Sequence, residues 1–300
     1  MSDIGSALRE SWIHGRTVER VAYATGAVLF VSGLAHVGVL LVTGASWSGP
    51  LSLRKAATFG LSFGLTLASV AWATSFVEVR PRARTLLLGV FTAACVVEVV
   101  LVSLQAWRGV PSHFNFETGF DNAVSMTLAG GGGVIIVTAL GFAGATLVGT
   151  GATAPSMRIA VRFGFLALLI ALGAGAAMIA TGVVEARGGQ AQLAYTTAGA
   201  LKPLHAVAMH AILVLPALAW LLGFTAWSER RRVLLVWVAA AAYAVLIAVT
   251  GFESLTGVSP LAASPLATTT AAVALAVLAA SGLSALSALP RGRGRAKLTR

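Results

Sequence analysis

The chain has 300 residues, of which 57% are apolar and only 10% charged, and its mean hydropathy is +0.88. A water-soluble domain carries about 25% charged residues, and so apolar a surface cannot stay in water without large exposed patches, which excludes a soluble globular class. The net charge of +11 does not point to nucleic acid, because the basic residues gather in short segments between apolar runs, the pattern of membrane orientation beside a lipid bilayer.

Residues up to Arg20 are polar. The apolar run behind them is about 23 residues, longer than the 7–15 of a signal-peptide core, and reads as a retained first span. A span needs about 20 residues to cross a hydrocarbon core of about 30 Å. Apolar runs bounded by polar punctuation predict spans over 21–43, 57–77, 85–106, 122–148, 159–184, 203–225, 233–251 and 265–289. The expected fold is an all-α transmembrane bundle of about eight spans. It is preceded by a cytoplasmic segment over 1–20 and followed by a basic cytoplasmic tail over 290–300.

Counting cations orients the bundle. With the N-terminus in the cytoplasm, one side holds sixteen of the 21 Lys and Arg, among them Arg80, Arg82, Arg84, Arg158, Arg162 and the tail. The other side holds Arg54, Lys55, Arg108, Arg187 and Lys202. That asymmetry places both termini in the cytoplasm, in a multi-pass protein of the inner membrane.

The halves, 21–148 and 149–289, echo each other at an offset near 148. Lys55 answers Lys202, "ASVAW" answers "PALAW", "VRPRAR" answers "SERRR" and "GVPS" answers "GVSP". Two four-helix repeats of equal topology would be related by an axis along the membrane normal. The single cysteine, Cys95, falls within an apolar run; it closes no intrachain disulfide and reads as a small buried hydrophobe.

Ionisable groups inside a span cost about 2.5–3.5 kcal/mol each on insertion scales, so each is a functional candidate. His36, Glu98 and His210 fall seven or eight residues below the outer ends of three different spans, roughly 10–12 Å deep at 1.5 Å per residue. Above them lie Arg54, Lys55, Arg108, His113, Asp121, Glu185, Lys202, His205 and Glu253, while the inner halves hold little beyond Arg162. This gathering predicts a polar cavity open to the extracytoplasmic side. Gly130 to Gly133, in the fourth span, would let a helix, backbone or ligand come close. The loop "QAWRGVPSHFNFETGFDN" either covers the cavity mouth or lies at headgroup level on Trp107 and Phe114. Lys55 and Lys202 stand at positive helix ends, where an anion or lipid phosphates would balance them.

Glu98 is the first candidate, a carboxyl suited to carrying a proton in a relay or coupled transport, or else to bonding His36 or His210. His205 and His210 are five apart and diverge by about 140° on a helix. His36 with His210 is the sharper metal pair and would suit axial ligation of haem b. The repeat offers no matching histidine: His36 falls opposite Val184, and His210 opposite Ser62.

"RKAATFG", "QAWRGVPSHFN" and "LKPLHAVAMHAILVLPALAW" together resemble segments of a family of uncharacterised bacterial polytopic membrane proteins. The resemblance covers roughly residues 50–225 and implies a membrane location; its members tend to carry Lys-Pro where this chain has Lys55-Ala56. Eight helices in two halves also match haem A synthase in size, but the Glu-x-x-His-Arg pattern of that family is absent. Three readings follow. The first is an outward-facing site for a small molecule, with proton coupling through Glu98. The second is a haem- or metal-binding redox protein on His36 and His210. The third is an enzyme acting on lipid at the outer leaflet with His113 or His205 as base, against which stands the lack of G-x-S-x-G and H-E-x-x-H patterns.

Overall fold

A computed structural model describes residues 2–47, 49, 51–148, 153–190, 193–194, 199–259 and 262–290. The basic tail expected over 290–300 lies outside them, apart from Pro290. The described chain is all-α: α1 (Ser2–Ile13), α2 (Thr17–Thr43), α3 (Arg54–Ser75), α4 (Pro81–Trp107), α5 (Gly119–Val148), α6 (Pro155–Arg187), α7 (Lys202–Gly223), α8 (Glu229–Thr256) and α9 (Pro265–Ser287). The eight from α2 to α9 are long and apolar enough to cross a membrane, and each carries one predicted span. The largest extension is in α8, which continues past residue 251 through Glu253 to Thr256; that polar last turn has no hydropathy signal. The helix α1 lies within a segment that reads as merely polar. Its apolar residues, Ile4, Ala7, Leu8 and Trp12, recur at helical spacing, a weaker cue than continuous hydropathy.

Local rules set the helix ends. Proline stands in the first turn of α4, α6, α7 and α9, where its missing N–H removes no helical bond. The left-handed glycines Gly44 and Gly257 stop α2 and α8. A core of small and branched residues runs through the middle of the bundle, with Leu67, Leu88, Phe91, Phe142, Phe165 and Ile212 buried within it. On the outer faces Val28, Val137, Leu234 and Leu275 stand bare, as they must if hydrocarbon rather than water surrounds the helices.

The tightest helix pair is α2 on α3. A Cβ at Gly60 would come 2.6 Å from the Gly33 backbone nitrogen, and one at Gly64 would come 2.6 Å from the Gly26 carbonyl oxygen. Small residues at both faces let two backbones touch, which supplies the van der Waals contact that holds helices together where lipid gives no hydrophobic drive.

Neighbour relations repeat through the chain. In the first half α2 packs on α3, α3 on α4, α4 on α5 and α2 on α4; in the second α6 packs on α7, α7 on α8, α8 on α9 and α6 on α8. The halves touch through α5–α6 and α3–α7, and between α3 and α7 the rings of Trp72 and Trp220 meet edge to face at 6.1 Å. Several local structures recur 148 residues apart. Trp72 meets Phe76 edge to face, and Trp220 meets Phe224 in the same way. Arg84 Nη2 donates to the Val77 carbonyl at 2.6 Å, and Arg232 Nη2 to that of Thr225 at 2.7 Å. Gly109 and Gly257 have φ of 68° and 73°, and after each the next amide bonds back five residues, Val110 N–H to Gln105 and Val258 N–H to Glu253.

Replacing Gly60 by leucine forces the α2 and α3 backbones apart and is expected to cost about 3 kcal/mol or more. Gly38→Leu, on open space, should leave the protein's melting temperature in detergent close to that of the parent. Equal melting of the two variants would disprove the close-packed contact.

Candidate functional site

The up-and-down course of the helices brings the C-termini of α2, α4, α6 and α8 to the same end as the N-termini of α3, α5, α7 and α9. His36, Glu98, Glu185 and Glu253 belong to the first set, and Arg54, Lys55, Asp121, Lys202, His205 and His210 to the second. Residues 108–118 cross this end and fold onto it.

Asp121 anchors the loop. Its carboxylate accepts from Gln105 Nε2 at 2.8 Å, Thr118 Oγ1 at 2.7 Å and Arg108 Nη1 at 2.6 Å. Arg108 also donates to Gln105 Oε1 and lies over the Phe120 ring at 4.7 Å. Further along, the Asn115 N–H donates to Ser125 Oγ at 3.2 Å. Phe114 takes a φ of 61°, rare for a residue with a side chain. Its ring fills the space on α6 that a side chain at Gly182 would occupy. Phe114 therefore packs against α6, half-buried at this end of the bundle.

That insertion buries the neighbouring His113. Lys55 Nζ approaches His113 Nδ1 at 3.1 Å, and Ser112 Oγ lies at the same distance. With Lys55 as an ammonium group, which only donates, His113 accepts on Nδ1 and carries its proton on Nε2. Burial, and then the Lys55 charge, push the affinity of His113 for a second proton well below the usual histidine range. Its ring also packs edge-on against Phe59 and Phe114.

Glu98 lies on α4 facing α5 and is 3% exposed. Its Oε1 is buried with no hydrogen-bond partner among the described residues. A Cβ at Gly131 would come 2.6 Å from this oxygen, whereas Gly130, Gly132 and Gly133 face open space. Of the four-glycine run, Gly131 is thus the one that makes room for the carboxyl. Lys55 is within electrostatic reach of Glu98, Arg54 and Lys202, yet forms no direct ion pair among the described residues.

The other candidates separate. His36 is buried and uses both ring nitrogens: Nε2 accepts from Trp107 Nε1 at 3.0 Å, and Nδ1 donates to the Ser32 carbonyl at 2.8 Å. His210 lies on an exposed face with Nδ1 on the Ala206 carbonyl at 2.6 Å. The expected pairing of His36 with His210 around a metal or haem is not formed, because one imidazole is fully bonded inside the bundle and the other faces outward. His205 is half-buried against Gly175, with Nδ1 on the Ala171 carbonyl at 2.7 Å. Glu185 keeps Oε2 buried and without a partner among the described residues, and Lys202 is exposed at the start of α7. No group of three or more His, Cys, Asp or Glu able to hold a metal ion occurs among the described residues.

Gln105, Trp107 and Asn115 take part although none carries a charge. Gln105 is fully buried; one amide in a long apolar run was the only available signal. At the opposite end Arg84, expected as a loop cation, is 1% exposed. It lies 3.3 Å from Glu19 Oε1 and donates to the Thr74 and Val77 carbonyls at 2.7 and 2.6 Å. That end therefore has a buried ion pair of its own, which net charge counts do not reveal. Comparison with known protein families, curated proteins and solved structures finds no match to this chain.

Protonating His113 opposes the fold. Above pH about 6.5 native and unfolded chains both carry it neutral; below that, the unfolded histidine takes up a proton that the native one resists. Stability should fall with decreasing pH by up to about 1.4 kcal/mol per unit from this residue. His113→Gln should flatten that limb in detergent melts between pH 6.5 and 5; an unchanged slope would mean that His113 is not held neutral.

Proposed function

We propose that the chain is a multi-pass protein of the bacterial cytoplasmic membrane, with both termini cytoplasmic. Its polar site, facing the extracytoplasmic side, binds a small ligand with a proton carried on Glu98. The observation that carries this reading is the Glu98 carboxyl, seated against Gly131 with one oxygen unbonded and Lys55 within electrostatic reach. A buried polar atom without a partner is costly to keep, and one held in a slot made by a missing side chain is suited to gaining and losing a proton or to meeting a ligand. Lys55, His113 and Ser112 extend the polar groups from Glu98 into the folded loop, and the positive-inside count supports an extracytoplasmic side for that loop. Resemblance to bacterial polytopic membrane proteins through "QAWRGVPSHFN" fits the same location, since these residues form the loop that buries His113.

We also infer that the bundle is a duplicated four-helix unit. Support comes from the equal neighbour patterns and from the tryptophan, arginine and glycine structures 148 residues apart. The halves differ at the proposed site, where the counterpart of Glu98 at that offset is Leu246. The function thus belongs to the first half, with the second as scaffold.

Proteoliposomes loaded with a pH-sensitive dye test the reading. An external acid step should acidify the lumen about a hundredfold more slowly in Glu98→Gln than in the parent. An infrared titration should lose one carboxylic-acid carbonyl band in the same variant. Unchanged flux together with an unchanged spectrum, in a variant that melts like the parent, would refute the role of Glu98.

A further inference from the structure

A second site lies at the opposite end of the bundle, where the turn between α3 and α4 meets the start of α2. An open cleft of about 630 Å³ there is lined by Arg16, Arg80 and Arg84, with Glu78 and Thr153 on its wall. Glu19 pairs with both Arg16 and Arg84. Three guanidinium groups therefore face two carboxylates, and Arg80 has no side-chain hydrogen bond or ion pair among the described residues. Arg84 reaches its backbone and Glu19 partners through Nη1 and Nη2, but its buried Nε has none.

The helix termini strengthen the imbalance. Arg80 is the N-cap of α4 and provides no side-chain cap, Pro81 follows it, and the first turn holds no acid. The amides of Arg82 and Ala83 lie among those that an α-helix leaves without internal acceptors, and the positive dipole end is loaded with more cations. The second half treats the same place differently. The N-cap of α8 is Ser228, 148 residues after Arg80, and Glu229 follows it in the first turn. That carboxylate accepts from the Ser156 N–H at 2.8 Å and lies 3.6 Å from Arg232, the counterpart of Arg84. One half thus holds a carboxylate at this helix start, and the other holds Pro81 beside a cleft lined by arginines.

We infer that the cleft at the α4 N-terminus binds a phosphate-bearing anion, either the headgroup of an acidic phospholipid in the adjoining leaflet or a soluble phosphate. Arginine suits such a ligand because its planar fork bonds two oxygens of one phosphate, and basic pockets between membrane helices take acidic headgroups in this way. Arg16 and Arg80, both reaching into solvent, would bond the phosphate oxygens, while Arg84 and the α4 amides hold positive potential behind them.

The test uses the purified full-length chain in neutral detergent. Phosphatidylglycerol, phosphatidylcholine and inorganic phosphate are titrated separately, and binding is read by native mass spectrometry and by the shift in melting temperature. The parent should bind phosphatidylglycerol over phosphatidylcholine, or bind inorganic phosphate, with affinity weakened about fivefold for each of Arg16→Gln and Arg80→Gln. Arg230→Gln, outside the cleft, should bind like the parent. Selective phosphatidylglycerol binding without inorganic phosphate binding assigns the lipid source; inorganic phosphate binding lost in the same variants assigns the soluble one. If Arg16→Gln, which also loses the Glu19 ion pair, does not fold, Arg80→Gln alone is decisive, since the Arg80 side chain has no partner to lose among the described residues. Binding of neither anion, or binding unchanged in Arg80→Gln, would overturn the inference.

Discussion

Inside a bilayer there is no water to complete a hydrogen bond, so each polar side chain that enters the bundle has to find its partner within the bundle. The organisation of both ends follows from this constraint. Asp121 collects three donors and so fixes the loop after α4. His36 spends both nitrogens on Trp107 and Ser32, and Arg84 satisfies two backbone carbonyls and one carboxylate at once. Among the described residues the buried side-chain atoms without a partner include Glu98 Oε1 and Arg84 Nε, at the two proposed sites, and also Asn115 Nδ2, Glu185 Oε2 and Arg232 Nε, in both halves.

Small residues create the space in which this pairing takes place. The α2–α3 contact brings two backbones together through Gly26, Gly33, Gly60 and Gly64. Gly131 makes room for the Glu98 carboxyl, and Gly182 makes room for the Phe114 ring. The insertion of Phe114 is what turns a polar loop into part of the bundle interior, and it carries His113 down to Lys55. Without that contact Lys55 would keep the nearby Arg54, Lys202 and Glu98 charges but lose its bond to His113.

The two halves share helix packing but not chemistry. Tryptophan contacts, arginine–carbonyl bonds and the glycine stops after α4 and α8 recur at one offset, whereas Glu98 and Pro81 stand opposite Leu246 and Glu229. Packing positions tolerate few alternatives in a dense interior, which accounts for similar packing in two halves that differ in their ionisable residues. Both proposed sites accordingly fall in the first half, at opposite ends of α4, the helix that carries Glu98 and Arg84.

All eight membrane helices were legible from hydropathy alone, because continuous apolar runs bounded by prolines, glycines and arginines need no tertiary information to be recognised. The end at which each candidate residue lies was legible for the same reason, since topology alternates which helix terminus lies there, whereas the buried Glu19–Arg84 pair at the opposite end was not. Which of these residues meet was not legible: His36 and His210 have similar depth in sequence but face different surroundings, as rotation about a helix axis leaves no trace in hydropathy. Gln105, the Phe114–Gly182 contact and the buried Glu19–Arg84 pair were likewise settled only when the helices packed. Hydrophobic length decides whether a segment enters the membrane, but which side chains become partners depends on helix rotation and backbone spacing, and those exist only in the assembled bundle.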